Sequence, residues 1–103
     1  MLLRSFVVKV VWLASIGLLA GQAQATGLMS CDVPREDWGT KEDLRAELDA
    51  QGWAVRKIKV DEGCYEVYGK TPEGERVEAY FDPASFDKLL VARRGEILFR
   101  KAE

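Results

Sequence analysis

Carboxylates are the groups in this sequence with the most capacity for catalysis, because its 103 residues include no histidine. Histidine is the commonest general base and metal ligand at neutral pH, and without it Ser-His and Cys-His nucleophile pairs cannot form. Glu66 and Glu78 fall on one face of a predicted sheet, and glycosidases use such carboxylate pairs inside a cleft. A flat sheet face has no cleft, so we expect no enzymatic activity and no catalytic residues.

Acidic residues also occur in the predicted turns, at Asp61-Glu62, at Glu73 and Glu75, and at Asp82. A calcium loop needs alternating carboxylates, a glycine and a bidentate glutamate at fixed spacing, and these turns lack that spacing. Acidic side chains are common in turns for conformational reasons. We therefore expect no metal site and no cofactor, and a metal-ion or small-ligand sensor is the alternative function.

The two cysteines, Cys31 and Cys64, are predicted to form one disulfide, because an even pair in an exported chain is typically bridged. The bridge closes a long loop and contributes on the order of 3–4 kcal/mol in the chain-entropy model. Small exported domains use such bridges to supplement a small core. The alternative is a pair of free or redox-active thiols, although no Cys-x-x-Cys spacing is present.

The N-terminus has the three parts of a secretory signal peptide. Arg4 and Lys9 supply the positive charge, residues 10–20 form an uncharged apolar run, and residues 23–25 read Ala-Gln-Ala. We therefore predict a signal peptide over residues 1–25, which leaves an exported, periplasmic domain over residues 26–103. The apolar run is short for a membrane span, which needs about 20 residues, and an uncleaved N-terminal anchor is the alternative. No later stretch of the sequence is apolar enough to span a membrane, so no span is expected after cleavage.

A lipoprotein signal is the alternative for the N-terminus, because Leu28-Met29-Ser30-Cys31 resembles a lipobox. Two features oppose it. The apolar run ends at Ala20, well before the motif, and lipidation of Cys31 would leave Cys64 as an odd thiol.

The charge of the chain argues against nucleic acid as a partner. Removal of the leader lowers the 15 basic residues by two and leaves all 17 acidic residues, so the net charge changes from −2 to −4. Nucleic-acid binding needs a concentrated basic footprint, and the sequence shows only local basic pairs.

One amphipathic helix is predicted over residues 41–51. Thr40 suits the N-cap, and Leu44 and Leu48 recur at helical spacing. Gly52 is a typical C-terminal stop.

Downstream of the helix the apolar period changes from 3.6 to 2, which predicts strands. They cover residues 53–60, 64–70 and 75–81. For residues 88–100 we favour a hairpin around Arg94-Gly95 over a helix at 83–94. The predicted class is α+β, with one N-terminal helix packed on a small antiparallel meander of three to four or more strands.

The turns fix the register of this sheet. A three-residue loop at 72–74 places Tyr65 opposite Phe81, and an even-length loop in the first hairpin places Lys59 opposite Glu66. The inner face then carries Ile58, Val60, Tyr65, Val67, Val77, Ala79 and Phe81. Trp53 and Val55 fall on the wrong face unless a bulge lies within residues 54–56.

The opposite, outer face combines aromatic and charged residues and is the candidate partner surface. Its members are Lys57, Lys59, Glu66, Tyr68, Arg76, Glu78 and Tyr80. The alternative is a solvated face with no partner, since one face of a small antiparallel sheet is normally wet. An open edge strand is a second route to a partner.

Four segments occur in the order that one known family shows. They are Trp38 before the helix, the Gly-Trp-Ala-Val run at 52–55, the Gly-Cys-Tyr-Glu-Val-Tyr run at 63–68, and the run from Gly74 to Asp-Pro at 82–83. Together they resemble the PepSY family, the peptidase propeptide and YpeB domain, and in particular its short, exported, single-domain bacterial members. The sequence departs from that family at residues 84–87, where Ala-Ser-Phe-Asp replaces a Thr-Gly-type turn.

The resemblance implies a helix packed on an antiparallel sheet, which agrees with the independent prediction. It also implies a non-enzymatic role, because PepSY domains accompany secreted peptidases as parts of propeptides. We expect a separate protein or peptide partner, with a protease as the candidate, and a role in modulating or inhibiting proteolysis. A structural envelope protein with no dedicated partner is a further alternative. The sequence makes no prediction of the oligomeric state.

Overall fold

A computed structural model describes residues 27–102, in which one α-helix precedes a five-stranded sheet. A short 3-10 turn at Arg35–Asp37 leads to the helix α1 (Lys41–Ala50). The strands are β1 (Ala54–Asp61), β2 (Cys64–Lys70), β3 (Arg76–Phe81), β4 (Lys88–Arg93) and β5 (Glu96–Arg100). They form an antiparallel meander in chain order. The predicted α+β class is confirmed, while the predicted signal peptide lies outside the described residues.

The helix α1 begins where the capping pattern predicts. The hydroxyl of Thr40 accepts a hydrogen bond from the backbone N–H of Asp43 at 3.0 Å, which satisfies one free donor of the first turn. Leu44 and Leu48 are the buried residues of the helix, and they face the sheet. Within residues 27–102, no helix is both long and apolar enough to cross a membrane.

The predicted register of the first two hairpins is confirmed. Tyr65 lies opposite Phe81, and Lys59 lies opposite Glu66. The pairing shifts by one residue between Val55 and Lys57, so Arg56 is the extra residue of a bulge where one was predicted. A side chain at Gly69 would collide with the backbone of β1 at this bulge, which explains the glycine.

The C-terminal segment forms the predicted hairpin, β4 and β5. Arg94 and Gly95 connect the strands with φ of 54° and 83°, as a two-residue turn of the primed type requires. The preceding loop is organised by Asp82, whose Oδ1 accepts hydrogen bonds from the N–H groups of Ala84 and Ser85. This loop is the segment that departs from the family pattern, and β4 follows it.

The core lies between α1 and the inner face of the sheet. It contains Leu44, Leu48, Trp53, Ile58, Tyr65, Val67, Val77, Ala79, Phe81 and Val91. Val60 is the exception among the residues predicted to face inwards, because 41% of it is exposed. It lies near the end of an edge strand and is not part of the cluster that contains Leu44 and Leu48 of the helix.

The outer face is covered in part by the irregular N-terminal segment, which the sequence did not predict. Leu28, Met29 and Cys31 pack against a second buried cluster on the sheet. That cluster consists of Cys64, Tyr80, Leu90 and Ala92. The predicted disulfide between Cys31 and Cys64 is present and ties the segment to β2. The bridge occupies the thiol that lipidation of Cys31 would require.

Candidate functional site

The outer face divides into a covered half and an open half. The N-terminal segment lies over the covered half, where the backbone N–H of Cys31 donates to the carbonyl oxygen of Glu62 at 2.9 Å. A side chain at Gly63 would collide with the carbonyl oxygen of Cys31, so glycine permits this close approach. The open half lies on the outer face of β1, β2 and the start of β3.

The seven residues of the predicted partner surface are divided between these halves. Lys57 and Arg76 are exposed, whereas Lys59, Tyr68 and Glu78 are half-buried. Glu66 and Tyr80 are buried, with 0% of each exposed, so in this structure neither presents a surface to a partner. The open half therefore holds five of the seven.

Two further cations join the open half. Arg56 reaches this face as the extra residue of the bulge, where its charge acts on Glu78. Lys70 pairs with Arg76 across β2 and β3. We call the resulting surface the basic strip; it consists of Arg56, Lys57, Lys59, Tyr68, Lys70 and Arg76. The sequence contains the signal for Arg56, because a bulge there was predicted, but that residue was not assigned to a face.

Tyr68 is the aromatic centre of the basic strip. The ammonium of Lys57 lies 4.9 Å from the centroid of its ring, and that of Lys59 lies at 5.6 Å. Both distances are within the range of cation–π attraction. Partial burial, followed by the negative charge of Glu66, raises the pKa of the Tyr68 phenol, so this hydroxyl stays protonated at neutral pH.

Lys59 connects the basic strip to a buried carboxylate. Its Nζ lies 3.9 Å from Oε1 of Glu66. Desolvation lowers the pKa of Lys59, but the interactions with Tyr68, Glu66 and Asp61 together raise it above its usual value. The ammonium therefore remains charged beside Glu66.

Glu66 is a buried carboxylate whose loss of hydration is poorly compensated by other groups. Neither of its carboxylate oxygens has a hydrogen-bond partner among the described residues. Burial raises the pKa of Glu66, and the positive charge of Lys59 opposes this shift. Since Glu66 is not exposed, it cannot contact a glycoside substrate in this structure.

Glu78 lies on the same face and is half-buried. Its Oε1 also has no hydrogen-bond partner in the described part of the chain. Burial raises the pKa of Glu78, and the charge of Arg56 opposes this. The Glu66 and Glu78 pair is thus one buried and one half-buried carboxylate beneath a basic surface, which is not the cleft that glycosidases use.

Tyr80 and Asp61 fasten the N-terminal segment to the sheet. The Tyr80 hydroxyl donates to Oδ2 of Asp61 at 2.8 Å, and the N–H of Gly27 donates to the same oxygen at 2.7 Å. Partial burial raises the pKa of Asp61, but these hydrogen bonds outweigh that effect and lower it below its usual value. Burial, followed by the hydrogen bond to Asp61, raises the pKa of Tyr80. Both residues therefore have a structural role here.

The acidic turns do not assemble a metal-binding cluster among residues 27–102. No three His, Cys, Asp or Glu side chains in that part of the chain lie close enough together to hold an ion. Asp61 and Asp82 instead accept the hydrogen bonds described above.

Comparison with known proteins supports the resemblance seen in the sequence. The family model for the peptidase propeptide and YpeB domain matches residues 9–89, which is most of the 103-residue chain. Searches of curated proteins and of solved structures each found no significant match. The match spans α1 and the first three strands, the same elements that carry the predicted motifs. On this basis the chain belongs to the PepSY family of peptidase propeptide and YpeB domains.

Proposed function

We propose that the protein is exported and acts as a non-catalytic module that binds a partner protein through the basic strip. The family supports an association with peptidases, so an exported peptidase is the candidate partner. Binding of this kind would restrain or modulate proteolysis.

The observation that carries the proposal is the concentration of positive charge in the basic strip. Acidic residues outnumber basic ones over the whole chain, yet five cations lie together on the outer face of three strands. Four of them are exposed, and Tyr68 is held between two lysines at the centre. Tyrosine and arginine are common anchors of protein interfaces. The complementary partner is a protein with an acidic surface that can also cover the Tyr68 ring.

The test uses the protein purified from the exported fraction of its own cells. It is titrated into the exported peptidases of those cells, and residual hydrolysis of casein is measured. We expect saturable inhibition that weakens as salt is added, because exposed charges are screened. The double substitution Lys57→Glu and Arg76→Glu should reduce the apparent affinity by at least about tenfold, since both cations are exposed in the basic strip.

A matched control reverses two charges elsewhere. Lys41→Glu and Arg94→Glu alter the net charge equally but lie at the start of α1 and in the β4–β5 turn. This control should inhibit like the wild type. The proposal is contradicted if both double variants lose inhibition equally. It is also contradicted if the wild type leaves casein hydrolysis unchanged at every concentration. Tight binding of an oligonucleotide would point to a different partner class.

Export is tested separately by the intact mass of the purified protein, measured with and without reduction. We expect a chain that begins at Thr26 and is lighter by the two hydrogens lost when Cys31 and Cys64 join. A mass that includes residues 1–25 would contradict cleavage of the predicted signal peptide.

A further inference from the structure

The two edges of the sheet differ in how they are protected. Edge strands expose unpaired backbone groups and are usually blunted by charges, bulges or covering elements. The edge strand β1 has a bulge at Arg56 and several charged side chains. The helix also protects it, since Nη1 of Arg45 donates to the carbonyl oxygen of Val55 at 3.0 Å.

The edge strand β5 is exposed along its whole length and apolar at its centre. All five residues are exposed, and Ile97, Leu98 and Phe99 have 39%, 38% and 39% of their surface accessible. Three consecutive exposed apolar side chains on an open edge are unusual for a soluble domain.

These side chains extend both layers of the sheet. Phe99 pairs with Val91, which belongs to the helix-side core, whereas Ile97 pairs with Ala92 of the outer cluster. Leu98 is the extra residue of a bulge between them. Leu98 and Phe99 also line a groove of about 380 Å³ together with polar residues such as Glu75, and the Lys88 ammonium lies 4.5 Å from the centroid of the Phe99 ring. Apolar surface is therefore open on both sides of the same strand.

We propose that β5 is the interface between two copies of this chain, which pair their β5 strands antiparallel about a two-fold axis near Leu98. The strand is self-complementary in this direction. Glu96 stands at one end and Arg100 at the other, so each Glu96 faces the Arg100 of the other copy and the dimer contains two such pairs. The apolar residues between them face one another.

Other occupants fit the strand less well. A parallel arrangement of two copies would set Glu96 against Glu96, and like charges directly opposite are destabilising. A uniformly acidic or uniformly basic peptide would match only one end of the strand. The second copy of β5 complements both ends and the apolar centre.

The interface is small, which sets the expected affinity. Three half-exposed side chains and a short strand bury well under the roughly 1,200 Å² of the smallest stable interfaces. The bulge at Leu98 twists the edge and limits the number of backbone hydrogen bonds. We therefore expect a weak, reversible dimer that dissociates on dilution.

Charge reversal gives a decisive test by sedimentation equilibrium over a wide concentration range. Glu96→Arg makes both ends of β5 basic, and Arg100→Glu makes both ends acidic. Each single variant should remain monomeric at concentrations where the wild type dimerises. An equimolar mixture of the two variants should dimerise at least as strongly as the wild type, because every end then faces its opposite charge. The circular dichroism of each variant reports whether the sheet is intact.

The outcomes separate the dimer from the proposed partner site. Lys57→Glu changes the opposite edge of the sheet and should leave dimerisation unchanged. Any one of three results would overturn the proposal. The first is wild-type protein that stays monomeric up to about 1 mM. The others are single variants that dimerise like the wild type and a mixture of the two that associates no better than either alone. A variant that loses peptidase inhibition but still dimerises has lost the basic strip alone. A variant that loses dimerisation but still inhibits has lost the β5 interface alone.

Discussion

The two faces of the sheet are covered by different means. On the inner face a regular helix contributes Leu44 and Leu48, both essentially buried. On the outer face an irregular segment is fixed by the disulfide from Cys31 to Cys64 and by hydrogen bonds to Asp61. The inner cover is held by packing, and the outer cover is held chiefly by covalent and polar links. This difference determines how each face should respond to substitution, reduction and pH.

The largest expected effect on the free energy of unfolding comes from the loss of packing on the inner face. Leu44→Ala should lower the free energy of unfolding by about 2–5 kcal/mol, because it removes a fully buried side chain and leaves a cavity. Leu98→Ala is the matched control, since the same atoms are removed from an exposed strand. It should cost less than about 1 kcal/mol in monomeric protein. Urea denaturation of both variants measures the difference, and equal losses would contradict the assignment of α1 as the principal cover.

The next largest effect on the free energy of unfolding comes from the release of the N-terminal segment that covers the outer face. Replacing Cys31 and Cys64 together by Ala should cost on the order of 3–4 kcal/mol, from a bridge between residues 33 positions apart. It should also increase the rate at which trypsin cleaves after Arg35 relative to the wild type, because the segment before this residue is no longer tied to β2.

The inner face supplies the control for that experiment. Amide exchange in α1 should retain its pattern of protection in the double variant, apart from the general loss of stability. Helix amides that lose protection before the N-terminal segment becomes cleavable would show that the two covers are not independent.

The inner face could be predicted because its signals are periodic. Alternation and turn length determine the register, and the misplaced parity of Trp53 and Val55 predicts the bulge that the structure shows at Arg56. Helical spacing identifies Leu44 and Leu48 as the covering residues. Only Val60 differs, because alternation gives the direction of a side chain and not the length of the element above it.

The outer cover could not be predicted from periodicity, because residues 27–34 have none. One signal was nevertheless present. Alternation along β2 places Cys64 on the outer face together with Glu66 and Tyr68, so its disulfide partner must also lie over that face. Since Cys31 is the other half of the bridge, the N-terminal segment is expected to cover part of the outer face and to bury part of the candidate partner surface.

The smallest expected effect concerns pH and depends on the burial of Glu66 beneath the outer face. Since the folded-state pKa of Glu66 is raised, folding disfavours its charged form. The resulting cost is absent well below the ordinary pKa of a glutamate and grows as the pH rises through the folded-state value. Glu66→Gln removes this cost, so the stability of the variant relative to the wild type should increase as the pH rises above the ordinary pKa of a glutamate.

Comparison of two variants isolates this contribution from other titrating groups. Glu73→Gln removes one negative charge from the exposed β2–β3 loop and serves as the control. The difference in melting temperature between Glu66→Gln and the wild type should increase with pH and should exceed the difference for Glu73→Gln, which removes a charge from an exposed loop. A Glu66→Gln curve parallel to that of the wild type would mean that water reaches this carboxylate. The outer cover would then exclude solvent less well than the helix does on the inner face.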